Sequence, residues 1–402
     1  MVNYDSKQNQ NQLQLYRVFF LFHRCAFSIF GMVYALRLIN EFGFNNQELM
    51  SLELIFCLSS LLFEIPTGVI ADKFGYKNSI VLGSFFWLLS TVICIQGNTY
   101  NTLVVSELVA ALAFAFISGT LDAWLGTRFE NDFKFEEYKR KSNHECRILM
   151  LILTVSSGFI TQYFGYSIPY YIAIGMFLVA LTLSLWLQNS KVTKLKKETK
   201  VKDSIKFYLS NSKLISLALM GMANTLCLTP IFMLWTPLFT KDLGYSQSWV
   251  GIIAGLLTVA SLMGGHLELK LKNKLSKNSM KSEIIFEILM GLIIVFLSIN
   301  LQHNIVIIIS IFMFFEIIMQ AHIQFITLYS NSFWRGRKDE ATISSIHSFI
   351  IRVGGAIGSL IMGICADAIG RAQTWTVSGV MMIITTLVIV TLSTTCKKSM
   401  QN

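Results

Sequence analysis

A short run of glycines and charged residues separates two long apolar stretches early in the chain. Gly68, Asp72, Lys73, Gly75 and Lys77 follow the spacing Gly-x-x-x-Asp-Lys-x-Gly-x-Lys. A glycine permits close helix contact, and a carboxylate here can accept hydrogen bonds from the N-terminus of a neighbouring helix. Basic residues beside it hold the segment at a membrane surface. The pattern therefore predicts a conformational latch centred on Asp72.

A second group of ionisable residues lies inside apolar stretches. At a rise of 1.5 Å per residue, Arg24, Glu316 and Arg352 fall near the middle of theirs. Charges at membrane depth are costly and tend to face a cavity or one another. Two arginines against one glutamate favour an anionic or zwitterionic ligand, and Glu316 could exchange a proton. The alternative is a structural ion pair between Glu316 and either arginine.

Three further polar side chains extend these groups. Gln320 follows Glu316 at i+4 and so lies on the same helix face. Glu107 falls about 9 Å below the outer surface and is a candidate for an outer vestibule. Asp122 lies near the inner end of its apolar stretch, where it could meet Lys77 or Arg128 beside the latch.

Composition requires a membrane setting for these residues. Hydrophobic residues make up 53% of the 402, charged residues only 14%, and there are 31 phenylalanines. The net charge of +10 comes from basic residues beside apolar stretches, which argues against nucleic acid as a partner. Phosphate-loop, H-E-x-x-H, G-x-S-x-G and Cys/His metal-ligand patterns are absent, so we expect neither an enzyme nor a cofactor or metal.

Twelve stretches are long enough to cross the bilayer, for which a helix needs about 20 apolar residues. They fall at about 15–38, 47–70, 79–97, 101–125, 147–166, 168–188, 214–239, 247–270, 283–300, 304–330, 342–366 and 373–394. Spans three, six and twelve carry no interior charge.

The loops after the even-numbered spans are basic and the others hold almost no charge, which predicts that both termini are cytoplasmic. The basic residues include Lys73, Lys77, Lys134, Lys139, Arg140, Lys141, the lysines of 191–213, Lys270 to Lys281, Arg335, Arg337 and Lys338.

A lysine-rich linker at 189–213 divides the chain into an N-terminal bundle, 1–188, and a C-terminal bundle, 214–402, each with six spans. Within it Val201, Ile205, Tyr208 and Leu209 follow helical spacing. This pattern predicts either a short helix on the inner membrane surface or a solvated tether.

With the Gly68 to Lys77 pattern at this position, the chain resembles the major facilitator superfamily over its whole length. Glu64 to Thr67 and Ser118 to Ala123 are similar to a bacterial branch of drug or metabolite efflux permeases. The resemblance implies an all-α membrane protein with two pseudo-symmetric six-helix bundles, in which spans three, six, nine and twelve lie at the periphery. Tyr76 replaces one closing basic residue, and neither the span-four arginine nor the span-five Gly-Pro of the drug/proton antiporters is present.

The resemblance implies a plasma-membrane exporter of a small amphipathic drug or metabolite, working by alternating access and driven by protons. The alternatives are an importer or lipid flippase of the same fold, and a sensor or immunity protein that binds a ligand without transport. A similar pattern from Gly363 to Arg371 follows span eleven, on the predicted outer side, and we interpret it as an ordinary helix end.

Overall fold

The computed structural model describes residues 7–130, 132–189, 201–276, 279–334, 337 and 339–399, and within them it is helical without strands. The helices are α1 Lys7–Leu36, α2 Asn46–Phe74, α3 Tyr76–Gln96, α4 Tyr100–Ile117, α5 Thr120–Gly126, α6 Asp132–Phe164, α7 Ser167–Leu185, α8 Val201–Ser210, α9 Ser212–Pro237, α10 Gln247–Ser276, α11 Ser279–Ile299, α12 Ile305–Asn331, α13 Glu340–Ile369 and α14 Arg371–Ser399.

Each predicted span corresponds to a long helix, with α4 and α5 together forming span four. Eleven of these helices, searched over the described residues, are long and apolar enough to cross a membrane. Helix α2, with 29 residues, is the twelfth. The all-α membrane fold with twelve long helices is therefore confirmed.

Two helices begin well before the apolar stretches that predicted them. Helix α1 starts at Lys7 and α6 at Asp132, rather than near 15 and 147. At the start of α1, Asn9 Nδ2 donates to the Arg128 carbonyl at 3.1 Å. Gln12 accepts from the Gln188 backbone N–H at 2.8 Å. Hydropathy locates the part of a helix that meets lipid, and polar contacts of this kind extend the helix beyond it.

The chain forms two compact units. Unit 1 comprises residues up to 44, 55–195 and 244–255, and unit 2 comprises 45–54, 196–243 and 256 onward. In unit 1, buried Arg37 holds the end of α1 to α3 by donating to the carbonyls of Cys94 and Ile95 at 3.2 and 2.9 Å. The predicted division at 188 and 214 stays a prediction.

The backbone repeats along the chain. Helix α1 ends in a π-helical turn, Arg37–Glu41, and about 200 residues later α9 ends in the same way at Leu238–Asp242. Each turn is followed by a glycine with a φ of 74°, Gly43 and Gly244, a conformation that side chains disfavour. This local repetition fits two structurally related halves.

Helix α8 packs against the start of α13 within unit 2. Ser204 donates to Asp339 Oδ2 at 2.9 Å, and the Tyr208 hydroxyl lies 2.8 Å from His347 Nδ1. Arg337 lies 3.7 Å from the centre of the Phe207 ring. The solvated-tether interpretation is therefore wrong for residues 201–210. Residues 190–200, Arg335 and Lys338 lie outside the described residues.

Asp339 is the centre of this contact. Arg337 Nε and Nη2 both donate to its carboxylate, at 2.9 and 3.2 Å. These hydrogen bonds hold the pKa of Asp339 below its usual value because they favour the charged form. Helix α8 leaves Ile205 and Leu209 exposed over 42% and 64% of their surface.

Candidate functional site

A cavity of about 640 Å³ opens in unit 1. That volume accommodates a drug-sized molecule. Within it Phe27 meets Trp87 edge-on, with ring centroids 4.4 Å apart, so the wall is built from rings already packed against each other. The aromatic lining residues are Phe20, Phe27, Phe56, Trp87 and Phe114.

A break in the fourth span shapes one side of this cavity. Helix α4 ends at Ile117 and α5 begins at Thr120, where the prediction has one continuous span. Gly119, at the break, has a φ of 73°, in the left-handed region that favours glycine. Ser118, Gly119 and Leu121 all line the cavity. The segment that resembles efflux permeases is therefore a helix interruption at the cavity wall.

Arg24 brings a positive charge to the cavity. Its side chain is exposed, and its guanidinium lies 5.9 Å from the centre of the Phe20 ring. The next residue back, His23, also lines the cavity but is 4% exposed. Neither ring nitrogen of His23 has a hydrogen-bond partner among the described residues. A bound molecule could therefore meet a cation and an unsatisfied imidazole on one helix.

Asp122 lies at the same cavity but pairs differently from the prediction. Its carboxylate accepts from Lys139 Nζ at 2.7 Å, and both side chains are partly exposed. Arg128, one of the two predicted partners, instead lies over the Trp124 ring at 4.5 Å and donates to the Gln188 carbonyl. The pairing prediction missed Lys139 because the predicted fifth span begins near 147, whereas α6 begins at Asp132 and includes Lys139.

The Gly68 to Lys77 pattern spans the end of α2 and the start of α3. Gly75 joins the two helices with a φ of 89° and donates to the Ala71 carbonyl at 2.9 Å. Space is open within 4 Å of where a Cβ on Gly68 would be, so no close helix contact forms there in this structure. The Asp72 side chain lies outside the described part of the chain, and its latch role stays a prediction.

The pattern after span eleven is more than a helix end. In unit 2, Asp367 accepts from the backbone N–H groups of Asn46 and Gln47, both at 2.9 Å, at the N-terminus of α2. Arg371 donates to Asn46 Oδ1 at 2.7 Å and to Asp242 at 2.6 Å. This is the capping geometry expected for Asp72. The segment is the helix end that we predicted, since α13 ends at Ile369 and Gly370 has a φ of 89°, but the prediction missed its contact with α2.

The remaining predicted site residues are distributed over both units. In unit 1, Glu107 accepts a hydrogen bond from the Tyr34 hydroxyl. In unit 2, Gln320 donates to Glu316 Oε1 at 3.1 Å, as their i+4 spacing predicts. Arg352 lies on α13 and is partly buried. A shared site for Arg24, Glu316 and Arg352 stays a prediction.

A buried charge cluster in unit 2 was missed by our sequence analysis. Glu283 and Glu287 lie on α11, and His322 lies on α12, all 3% exposed or less. His322 Nε2 is 3.0 Å from Glu283 Oε1 and 3.8 Å from Glu287 Oε1. Asn224 on α9 donates to both oxygens of Glu287, at 3.0 and 3.1 Å.

The signal for this cluster was present in the sequence. Glu283 and Glu287 stand at i and i+4 in an otherwise apolar helix, which places both on one face. We expected span nine to be peripheral and did not weigh its carboxylates. The structure shows that these carboxylates face the interior of unit 2.

Twelve long helices, with a ligand-sized cavity in unit 1, are typical of a polytopic membrane protein that binds a small molecule. The model of the Major Facilitator Superfamily matches residues 18–134 and 148–359. The chain therefore belongs to this superfamily and is a transporter, not an enzyme.

Relatives and solved structures agree with this family. The MFS-type transporter YxaM of Bacillus subtilis (strain 168) is 24% identical over 373 residues, which cover 89% of this chain and 90% of YxaM. The transporter BU466 of Buchnera aphidicola subsp. Acyrthosiphon pisum is 27% identical over 38% of this chain and 40% of BU466.

Among solved structures, the nucleoside transporter NupG aligns with a TM-score of 0.76 at 12% identity, covering 95% of this chain and 99% of NupG. A bacterial homologue of the human lysosomal transporter Spinster aligns with a TM-score of 0.70, also at 12% identity, covering 97% of this chain and 96% of that one. At these identities the likeness concerns the fold alone.

Proposed function

We propose that this protein exports a small amphipathic molecule across the plasma membrane by proton-coupled alternating access. The observation that carries the proposal is the cavity of unit 1, which combines five aromatic rings with the guanidinium of Arg24. Aromatic walls bind the apolar part of a ligand and a single charge orients it. This combination suits an amphipathic molecule better than a sugar or an inorganic ion.

The charge of the cavity supports an anionic or zwitterionic substrate. Arg24 is exposed to the cavity, whereas the carboxylate of Asp122 is already engaged with Lys139 at 2.7 Å. The unsatisfied nitrogens of His23 offer a hydrogen bond beside it. A carboxylate or sulfonate attached to an aromatic ring would meet both the cation and the rings.

Export and proton coupling are supported by observations other than the cavity. Export follows the resemblance of Glu64 to Thr67 and Ser118 to Ala123 to efflux permeases. Glu316, with Gln320 donating to it at 3.1 Å, is the proposed proton-exchanging group, and Arg352 and Glu107 are further candidates on the substrate or proton route. The alternating basic loops support cytoplasmic termini.

The test begins with binding, which Trp87 reports from inside the cavity. Purified protein is titrated with aromatic carboxylates, sulfonates, amines and neutral nucleosides while Trp fluorescence is followed, using Trp87→Phe to assign the signal. We expect saturable quenching by the anions, with an affinity at least ~10-fold weaker in Arg24→Gln. Arg17→Gln is the matched control. Arg17 lies on the same helix as Arg24, but it pairs with Glu145 and does not line the cavity. Equal binding by Arg24→Gln would contradict the proposed site.

Flux in proteoliposomes then separates the alternatives. In a proton-coupled exporter, protons move down the imposed gradient and the bound anion moves in the opposite direction. In whole cells an exporter therefore moves the anion outward, whereas an importer moves it inward. A flippase would move labelled phospholipid and not the soluble anion. Binding without any flux would support a sensor. Glu316→Gln should remove the dependence on the proton gradient, and unchanged dependence would exclude Glu316 as the coupling group.

A further inference from the structure

We propose that Glu283, Glu287 and His322 form a binding site for one divalent transition-metal ion, such as Zn²⁺ or Mn²⁺, inside unit 2. The three residues present one imidazole nitrogen and one oxygen from each carboxylate, and these ligand atoms all lie within 4.8 Å of one another. This site is separate from the proposed transport function, and neither proposal depends on the other.

The separations of the ligand atoms fit a metal. With metal–ligand bonds of about 2.0 to 2.1 Å, adjacent ligands of a tetrahedral ion lie roughly 3.3 to 3.4 Å apart. The observed separations from His322 Nε2 are 3.0 Å to Glu283 and 3.8 Å to Glu287, which bracket that value. The third separation, between the Glu283 and Glu287 oxygens, is at most 4.8 Å, so the carboxylates need only move toward a shared ion.

The charges of the cluster also call for a cation. Neither carboxylate pairs with an arginine or a lysine among the described residues, and two carboxylates outweigh one imidazole. Two carboxylates and a neutral imidazole around a divalent ion sum to zero charge. A neutral set is far less costly to bury than one carrying a net charge.

Two atoms of the cluster lack partners, which is the independent sign of a missing ligand. Glu283 Oε2 and His322 Nδ1 are buried and form no hydrogen bond within the described residues. Buried polar atoms are nearly always paired, and a metal bound by the Glu283 carboxylate would satisfy the first of them. A mixed nitrogen and oxygen ligand set favours Zn²⁺ or Mn²⁺ over Mg²⁺ and Ca²⁺, which prefer oxygen alone.

Asn224 plays a supporting role in this arrangement. Its side-chain N–H groups donate to both oxygens of Glu287, which fixes the orientation of that carboxylate. Hydrogen bonds to metal-binding carboxylates typically change metal affinity by 10- to 100-fold when removed. The site would join three helices: α11 and α12 through the ion, and α9 through Asn224.

The test measures metal content and stability of the untagged, detergent-purified protein. After EDTA treatment, the protein is incubated with ZnCl2, MnCl2, MgCl2 or CaCl2, desalted, and analysed by elemental mass spectrometry and thermal unfolding. We expect about one Zn²⁺ or Mn²⁺ per chain, with a rise in unfolding temperature that Mg²⁺ and Ca²⁺ do not give. Glu287→Gln and His322→Gln should each lose that ion and the rise.

Two further variants keep the test decisive. Asn224→Ala retains all three ligands and should weaken Zn²⁺ binding about 10-fold. It can therefore test the proposal if the ligand variants do not fold. Asp203→Asn removes an exposed carboxylate of α8, outside the cluster, and should bind Zn²⁺ as wild type does. The proposal would be overturned if wild-type protein took up no ion, or if the ligand variants took up as much ion as wild type. The three side chains would then bind protons and no metal.

Discussion

Unit 1 and unit 2 each place ionisable residues inside helical bundles, but in opposite surroundings. In unit 1, Arg24 is exposed to a cavity of about 640 Å³ lined with aromatic rings. In unit 2, Glu283, Glu287 and His322 are closed off from solvent and meet one another. A charge left open to a cavity is available to a substrate, whereas a charge enclosed by protein needs an internal partner.

This difference separates two roles that the sequence alone could not distinguish. Every charge in an apolar span has the same high cost, so hydropathy marks them all as candidates. Only the three-dimensional surroundings tell which of them face a ligand. Substitutions in the open site of unit 1 and in the closed site of unit 2 should therefore have different effects.

The largest effect is expected from His322→Leu in the closed site. Removing the imidazole leaves two buried carboxylates without their partner, and breaking such a group costs about 3 to 5 kcal/mol. Unfolding in detergent, followed by denaturant or heat, measures the loss. A change below about 1 kcal/mol would mean that the cluster is not an energetic unit.

A smaller effect on stability, but a large one on binding, is expected from Arg24→Gln in the open site. Because Arg24 is exposed, the protein should fold normally. Loss of one charged hydrogen bond to an anionic substrate costs about 1.5 to 3 kcal/mol, which is roughly a 10- to 150-fold weaker affinity. Arg17→Gln should leave affinity unchanged, and a similar loss in both variants would point to surface charge rather than to the cavity.

Asp339→Asn should loosen the contact of α8 with the start of α13. The Arg337 hydrogen bonds lower the pKa of Asp339 in the folded protein. The stability that Asp339 contributes is therefore complete above its pKa in the unfolded chain, ~4, and is lost as the pH falls through its lower pKa in the folded protein. We expect a loss of about 1 kcal/mol at pH 7, since Arg337 is partly exposed, and a smaller difference near pH 3.

Hydrogen exchange of the α8 amides reports this contact directly. Faster exchange in Asp339→Asn at pH 7, with the two proteins converging in acid, would agree with the ion pair as its cause. A difference that grows as the pH falls would contradict the sign of the shift. Asp203→Asn offers a control, because Asp203 is an exposed carboxylate on α8 itself.

The smallest effect is expected from Asp122→Asn. The Asp122 and Lys139 side chains are 52% and 36% exposed, and exposed ion pairs contribute about 0 to 1 kcal/mol. Thermal unfolding should therefore change little. If Asp122→Asn destabilised the protein as strongly as His322→Leu, solvent exposure would not explain the difference in energy between the two sites.

Much of the fold was predictable, because apolar length and loop charge are read directly from the chain. Helix ends were not, since α1 and α6 extend through polar residues such as Asn9 that bond to distant carbonyls. The break at Gly119 was also missed, because glycine occurs in continuous membrane helices as well.

Within the candidate site, single residues were predictable and their partners were not. Arg24 was recognised by its depth, and Gln320 by its i+4 spacing from Glu316. Two pairings depend on contacts between residues far apart in the chain. They join Asp122 to Lys139, and Asp367 to the start of α2. Spacing rules describe neighbours on one helix and carry no such information.

The central claim is that the open cavity of unit 1 binds a substrate that the protein then transports. The most direct measurement is flux of an aromatic carboxylate, chosen by Trp87 quenching, into proteoliposomes that contain wild type, Arg24→Gln or Arg17→Gln. We predict saturable flux for wild type and Arg17→Gln, and at least a 10-fold loss of kcat/KM for Arg24→Gln. Saturable flux that is equal in all three proteins would contradict the account.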